Sequence, residues 1–63
     1  MFYYAVYGTL ADSGVEEVVR TFDTGMNITD QEAREAAMDC ELIARKDEKY
    51  SSCRVRRRSM IFK

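Results

Sequence analysis

Four arginines, Arg54, Arg56, Arg57 and Arg58, fall within five positions, and Lys46, Lys49 and Lys63 flank them. A guanidinium presents a planar fork of donors that matches carboxylate or phosphate, so a run of this kind is suited to bidentate recognition of anionic groups. Tyr3, Tyr4, Tyr7 and Phe62 supply aromatic surface that can sit beside such a run. Together these eight residues, Arg54, Arg56, Arg57, Arg58, Tyr3, Tyr4, Tyr7 and Phe62, are the candidate binding set. The competing reading of the arginines is that they neutralise acidic neighbours, or discourage edge-to-edge aggregation of the strand that carries them.

Other chemistry is thinly represented. The 63 residues include no histidine, which removes the usual general base near neutral pH, the commonest metal ligand and the usual partner of a nucleophilic Ser or Cys. Cys40 and Cys53 alone cannot close a zinc site, and Asp12, Glu16 and Glu17 lack the converging oxygens a hard cation needs. Gly8, Gly14 and Gly25 form no phosphate-binding loop. A non-enzymatic protein with no metal and no cofactor is expected. A chain of this length hides only about 60% of the surface of its unfolded form, so the expected core is one layer of side chains and no deep pocket.

The formal charge of −1 conceals a division along the chain. Residues 1–45 hold three basic and nine acidic side chains, a net of −6, whereas residues 46–63 hold seven basic and two acidic, a net of +5. Asymmetry of this kind bears on partners and association rates more than on fold. The acidic set of helix and hairpin either docks on a basic groove or is simply solvated.

The elements that must position these groups are legible from periodicity. Residues 2–10 (FYYAVYGTL) are rich in aromatic and β-branched types and read as a strand. Residues 11–14 (ADSG) supply turn formers, with Gly14 available for positive φ, and residues 15–23 (VEEVVRTFD) read as the second strand of a hairpin. Alternation in that strand is imperfect, so it carries a bulge or presents two apolar faces. Thr29-Asp30-Gln31-Glu32 matches a capping box and starts a helix over 30–46. Ala33, Ala36, Ala37, Cys40, Ile43 and Ala44 recur at spacings of three and four, a stripe of mostly small residues that lets the helix lie close on a sheet with large side chains.

Residues 52–62 (SCRVRRRSMIF) alternate again and read as the third strand. With Cys53, Val55 and Ile61 toward the helix, Arg54, Arg56 and Arg58 form an exposed row spaced about 6 to 7 Å apart. The expected fold is α+β: one ββαβ domain spanning residues 1–63, a three-stranded sheet with one helix packed on one face. In the simplest arrangement the third strand pairs with one edge of the hairpin, through a right-handed crossover if it runs parallel to the second strand. The alternative places it beside strand one. Either way one sheet face stays bare while strand one carries aromatics on both faces, so Tyr3 or Tyr4 with Tyr7, or Met60 with Phe62, would expose an apolar patch. Sheet-to-sheet dimerisation or a partner protein would cover it.

No segment is long and apolar enough to cross a membrane, and Met-Phe-Tyr-Tyr lacks the start of a signal peptide, so a cytoplasmic setting with both cysteines as thiols is expected. In its aromatic first strand (FYYAVYGTL), capped helix (TDQEAREAAMDC), arginine-bearing last strand (CRVRRRSMIF) and split charge, the chain resembles in general format small phage-encoded proteins that disable a host machine, such as anti-CRISPR proteins and short phage inhibitors of bacterial RNA polymerase. The resemblance implies a phage or prophage inhibitor or adaptor that occludes a host protein or nucleoprotein complex, and carries no motif through which a functional residue transfers. Two alternatives stand beside it: a small nucleic-acid-binding regulator using the arginine row, and a structural homodimer subunit.

Overall fold

β1 (Phe2–Leu10) holds no charged residue, and it takes the middle of the sheet. The computed structural model describes residues 2–25 and 27–59. Around β1 it arranges β2 (Glu16–Asp23) and β3 (Tyr50–Ser59), both antiparallel to it, in the order β2-β1-β3, with α1 (Asp30–Arg45) between β2 and β3 in sequence. The third strand therefore lies beside the first, and the two charged strands become the edges, where charge opposes further pairing. β2 and β3 run parallel to each other on either side of β1 without pairing, and α1 carries the chain from one edge to the other across one face of the sheet.

Element bounds differ from the sequence expectation by a residue or two: β2 begins at Glu16, α1 ends at Arg45 and β3 begins at Tyr50. The last residues of the expected third strand, Met60, Ile61 and Phe62, lie outside the described residues. The hairpin closes through Leu10 N–H to Val15 C=O and Gly14 N–H to Leu10 C=O, both 2.8 Å, with Gly14 at φ 72°, a conformation that a residue with a Cβ resists. In β2 the register slips by one between Arg20, opposite Val6, and Val18, opposite Tyr7. Val19 is the extra residue of this bulge, and the bend lets both Val19 and Phe22 pack against the core although their spacing is odd.

Thr29 caps α1 by accepting from the Glu32 N–H at 3.1 Å, while its hydroxyl donates to the Glu32 carboxylate at 3.1 Å, so the box closes through the two side chains. Tyr4, Val6, Ala33 and Ala37 form the buried centre, with Val19, Phe22, Cys40 and Val55 packed around it. The small helical residues bring the helix backbone close, and Tyr4 fills the space between layers.

One member of the expected stripe is misplaced. Ile43 is 71% exposed, and Glu41 instead turns partly inward. The cause lies on the β3 side: Arg45 reaches over the edge to donate to the Cys53 carbonyl at 3.4 Å, and Glu41 holds that guanidinium at 2.8 Å. The helix is thus rolled toward β3, which lifts Ile43 off the sheet and covers one free carbonyl of the edge strand. Both cysteines are free thiols, Cys53 buried and Cys40 half-buried. No helix among the described residues is long and apolar enough to cross a membrane.

Candidate binding face

The register sorts every side chain of the sheet onto one of two faces. Under the helix lie Tyr4, Val6 and Gly8 of β1, with Arg57, Val55 and Cys53 opposite them on β3. On the open face, four rows run across the strands: Asp23, Tyr3 and Arg58; Thr21, Ala5 and Arg56; Val18, Tyr7 and Arg54; Glu16, Thr9 and Ser52. Alternation along a strand makes this separation unavoidable once Val55 faces the helix.

Arg54, Arg56 and Arg58 therefore share the open face with Tyr3 and Tyr7, both half-buried. Ala5, between the two tyrosines, is only 1% exposed. Arg54 is engaged: it binds Glu16 of β2 at 2.9 Å, and its guanidinium stands 5.8 Å from the centre of the Tyr7 ring. Among the described residues no carboxylate lies within 4 Å of Arg56 or Arg58. Asp23 likewise has no cationic partner among the described residues; it lies two strand spacings, about 10 Å, from Arg58 with Tyr3 between.

Two members of the sequence-derived set are elsewhere. Tyr4 is 5% exposed in the core, and its hydroxyl donates to the Asp30 carboxylate at 2.9 Å. Partial burial, then the hydrogen bond to Asp30 and its negative charge, push the Tyr4 phenol above its ordinary pKa. Arg57 stands on the helix side, its Nε 3.6 Å from Asp30 and its guanidinium 4.0 Å from the centre of the Phe2 ring. Arg57 thus neutralises the first helical turn, as the competing reading of the arginines expected, and neither it nor Tyr4 belongs to the open face. Phe62 lies outside the described residues.

Sequence reasoning missed how charge is distributed across the sheet. β2 carries Glu16, Glu17 and Asp23 against Arg20, β1 carries none, and β3 carries Arg54, Arg56, Arg57 and Arg58. Of these, Glu16 and Asp23 on β2 and Arg54, Arg56 and Arg58 on β3 belong to the open face, which is acidic along one edge, aromatic in the middle and basic along the other. The signal was present in the strand compositions, but it acquires direction only from the order β2-β1-β3.

Neither a metal-binding group of His, Cys, Asp and Glu nor a buried side-chain polar atom without a partner occurs among the described residues. Burial pushes the Cys53 thiol above its ordinary pKa, with Arg45 acting in the opposite sense, so the protonated and weakly nucleophilic form is favoured. No protein-family model, no curated protein and no solved structure matches the chain.

Proposed function

We propose that this chain is a non-enzymatic binding module that sets its open sheet face against an acidic patch of a partner protein and acts by steric and electrostatic occlusion, as a phage or prophage inhibitor or adaptor of the cytoplasm. The observation that carries the reading is the pair Arg56 and Arg58: two guanidiniums with no carboxylate within 4 Å among the described residues, on the sheet face opposite the helix beside Tyr3 and Tyr7. Arg and Tyr are the types that most often dominate binding energy when desolvated at the centre of an interface. The lack of histidine and the thiol form of Cys53 support a binding role over a catalytic one.

The decisive experiment captures partners from a bacterial lysate with the wild-type chain and with R56A/R58A, each with and without nuclease. Loss of nuclease-resistant partners in the variant, with an unchanged circular dichroism spectrum, is the expected result. An identical set of partners for both proteins overturns the proposal.

A second reading is favoured by the two tyrosines on the uncharged strand next to the arginine row, a platform on which bases of a single-stranded nucleic acid can stack while guanidiniums follow its phosphates. Nuclease-sensitive capture, and affinity for a single-stranded oligonucleotide that falls linearly with log salt, would select it.

A further inference from the structure

The open face has a charge pattern complementary to itself. Consider a second copy laid face to face on the first, related by a twofold axis parallel to the strands. That operation sets β3 of one copy over β2 of the other and β1 over β1, while preserving position along the strands. Arg58 then faces Asp23 of the partner subunit, Arg56 faces Thr21 of the partner subunit, and Arg54 faces Val18 of the partner subunit. Tyr3 and Tyr7 meet their own counterparts about the small Ala5. A twofold axis across the strands lays arginine row on arginine row and is opposed by like charge.

We infer that a second copy of this chain covers the open face in the strand-parallel arrangement, with Arg58 and Asp23 exchanging ion pairs across the interface. The inference rests on the reading of the open face as the docking surface and names what occupies it when no other partner does. Three observations converge. Arg58 and Asp23 sit at opposite ends of one row with Tyr3 between them, they do not pair with each other, and neither has an ion-pair partner among the described residues. The uncharged strand lies on the axis, so its tyrosines are shared between the copies. Aligned sheets pack about 10 Å apart, near enough for Arg and Asp side chains to meet from opposite layers. The isologous geometry also closes the assembly at two copies.

Three strands about 4.8 Å apart and eight residues of about 3.3 Å rise give a footprint of roughly 14 by 26 Å, about 360 Å² per copy, which is below the size of stable specific interfaces and in the range of weak, transient ones. The dimer is accordingly weak and salt-sensitive, and a partner protein with a stronger acidic patch displaces the second copy from the same face.

Sedimentation equilibrium on the full chain tests this, from about 10 μM to about 1 mM at low and at high salt. Wild type is expected to move from monomer toward dimer with concentration at low salt, and to lose at least about tenfold in association constant at high salt. R58D and D23R, each checked for folding by circular dichroism, are each expected to stay monomeric. Mixing the two in equal amounts is expected to restore a dimer, because the carboxylate introduced in one variant then faces the guanidinium introduced in the other, and the unaltered Arg58 and Asp23 form the second pair. The doubly substituted chain D23R/R58D is expected to dimerise by itself. A wild type monomeric throughout at low salt, single variants that associate like wild type, or a mixture that does not associate overturns the inference. The docking reading fails separately: it falls if R56A/R58A captures the same partners as wild type, whatever the dimer does.

Discussion

The ring of Tyr50 occupies the space that a side chain at Gly8 would fill. A Cβ at position 8 would lie 2.5 Å from Cδ1 and 2.6 Å from Cε1 of that ring. Tyr50 enters β3 opposite Leu10, where the register slips by one residue, and leans back across β1 until its hydroxyl donates to Glu17 of β2 at 3.1 Å. Lys49 joins the same carboxylate at 3.6 Å. One tyrosine thus spans all three strands beyond the end of the helix, and glycine is what lets it pass.

Gly8→Ala is therefore expected to destabilise the fold by about 1 to 3 kcal/mol, the usual cost of forcing atoms into filled space, because the rigid ring must move and release Glu17. Tyr50→Phe keeps the ring and loses only a half-exposed hydrogen bond, so its expected cost is at most about 1 kcal/mol. Urea unfolding of the two variants checks the order. Equal stability of wild type and Gly8→Ala would show that the ring does not need that space.

The relation between Gly8 and Tyr50 was not readable in the sequence, since it depends on the register of strands more than forty residues apart. The alternation that puts Arg54, Arg56 and Arg58 on one face was readable, because a period of two follows from strand geometry alone. Tyr3 and Tyr4 mark the boundary between the two cases. β1 is apolar on both faces, so periodicity could not say which tyrosine meets the helix; Asp30, which accepts from the Tyr4 hydroxyl, decides it. Ile43 failed for a related reason: with a stripe made of alanines, a small roll of the helix costs little, and the Arg45 contact with the edge of β3 sets its sense. Which strand lies in the middle could have been argued from charge, as β1 alone has none.

The cap at Thr29 offers a cleaner local test. Its hydroxyl satisfies the Glu32 N–H and is itself held by the Glu32 carboxylate, both at the solvent-exposed start of the only helix among the described residues. Thr29→Ala is expected to cost about 1 kcal/mol, and Thr29→Ser to recover most of it. Thermal melts followed at the helical circular dichroism band would read both.

Alkaline pH should unfold the protein more readily than its acidic composition suggests. Tyr4 and Tyr50 are both raised by partial burial and by hydrogen bonds to carboxylates, Lys49 is raised by the charge of Glu17, and Cys53 is raised by burial. Each folded-state pKa lies above its unfolded value, so each group contributes stability fully present below the unfolded pKa and lost as pH rises through the folded one. The thiol acts first, above about pH 8.5, and the phenols and the ammonium follow above about pH 10. Melting temperature is expected to fall progressively from about pH 9 upward, with a shallower decline in Tyr4→Phe, which has no phenol to ionise there. A melting temperature unchanged to about pH 11 contradicts this account.

The four arginines of β3 should separate into a stabilising residue and binding residues, although they are adjacent in sequence. Arg57 is anchored on both sides, by Asp30 at 3.6 Å and by the Phe2 ring at 4.0 Å. Half-exposed ion pairs and cation–π contacts are each worth roughly 0.5 to 1 kcal/mol, so Arg57→Ala is expected to lower stability by about 1 kcal/mol and leave partner capture intact. Arg56 has no carboxylate within reach among the described residues, so Arg56→Ala is expected to change stability by less than about 0.5 kcal/mol while weakening binding at the open face. Arg54 lies between: its pair with Glu16 is lost on substitution, and so is its place beside Tyr7. Measuring unfolding free energy and partner affinity for the three single variants gives opposite rankings if the two faces of the sheet have separate roles. The same ranking in both measurements would mean that the arginines act through the fold alone, and the open face would then have no binding role of its own.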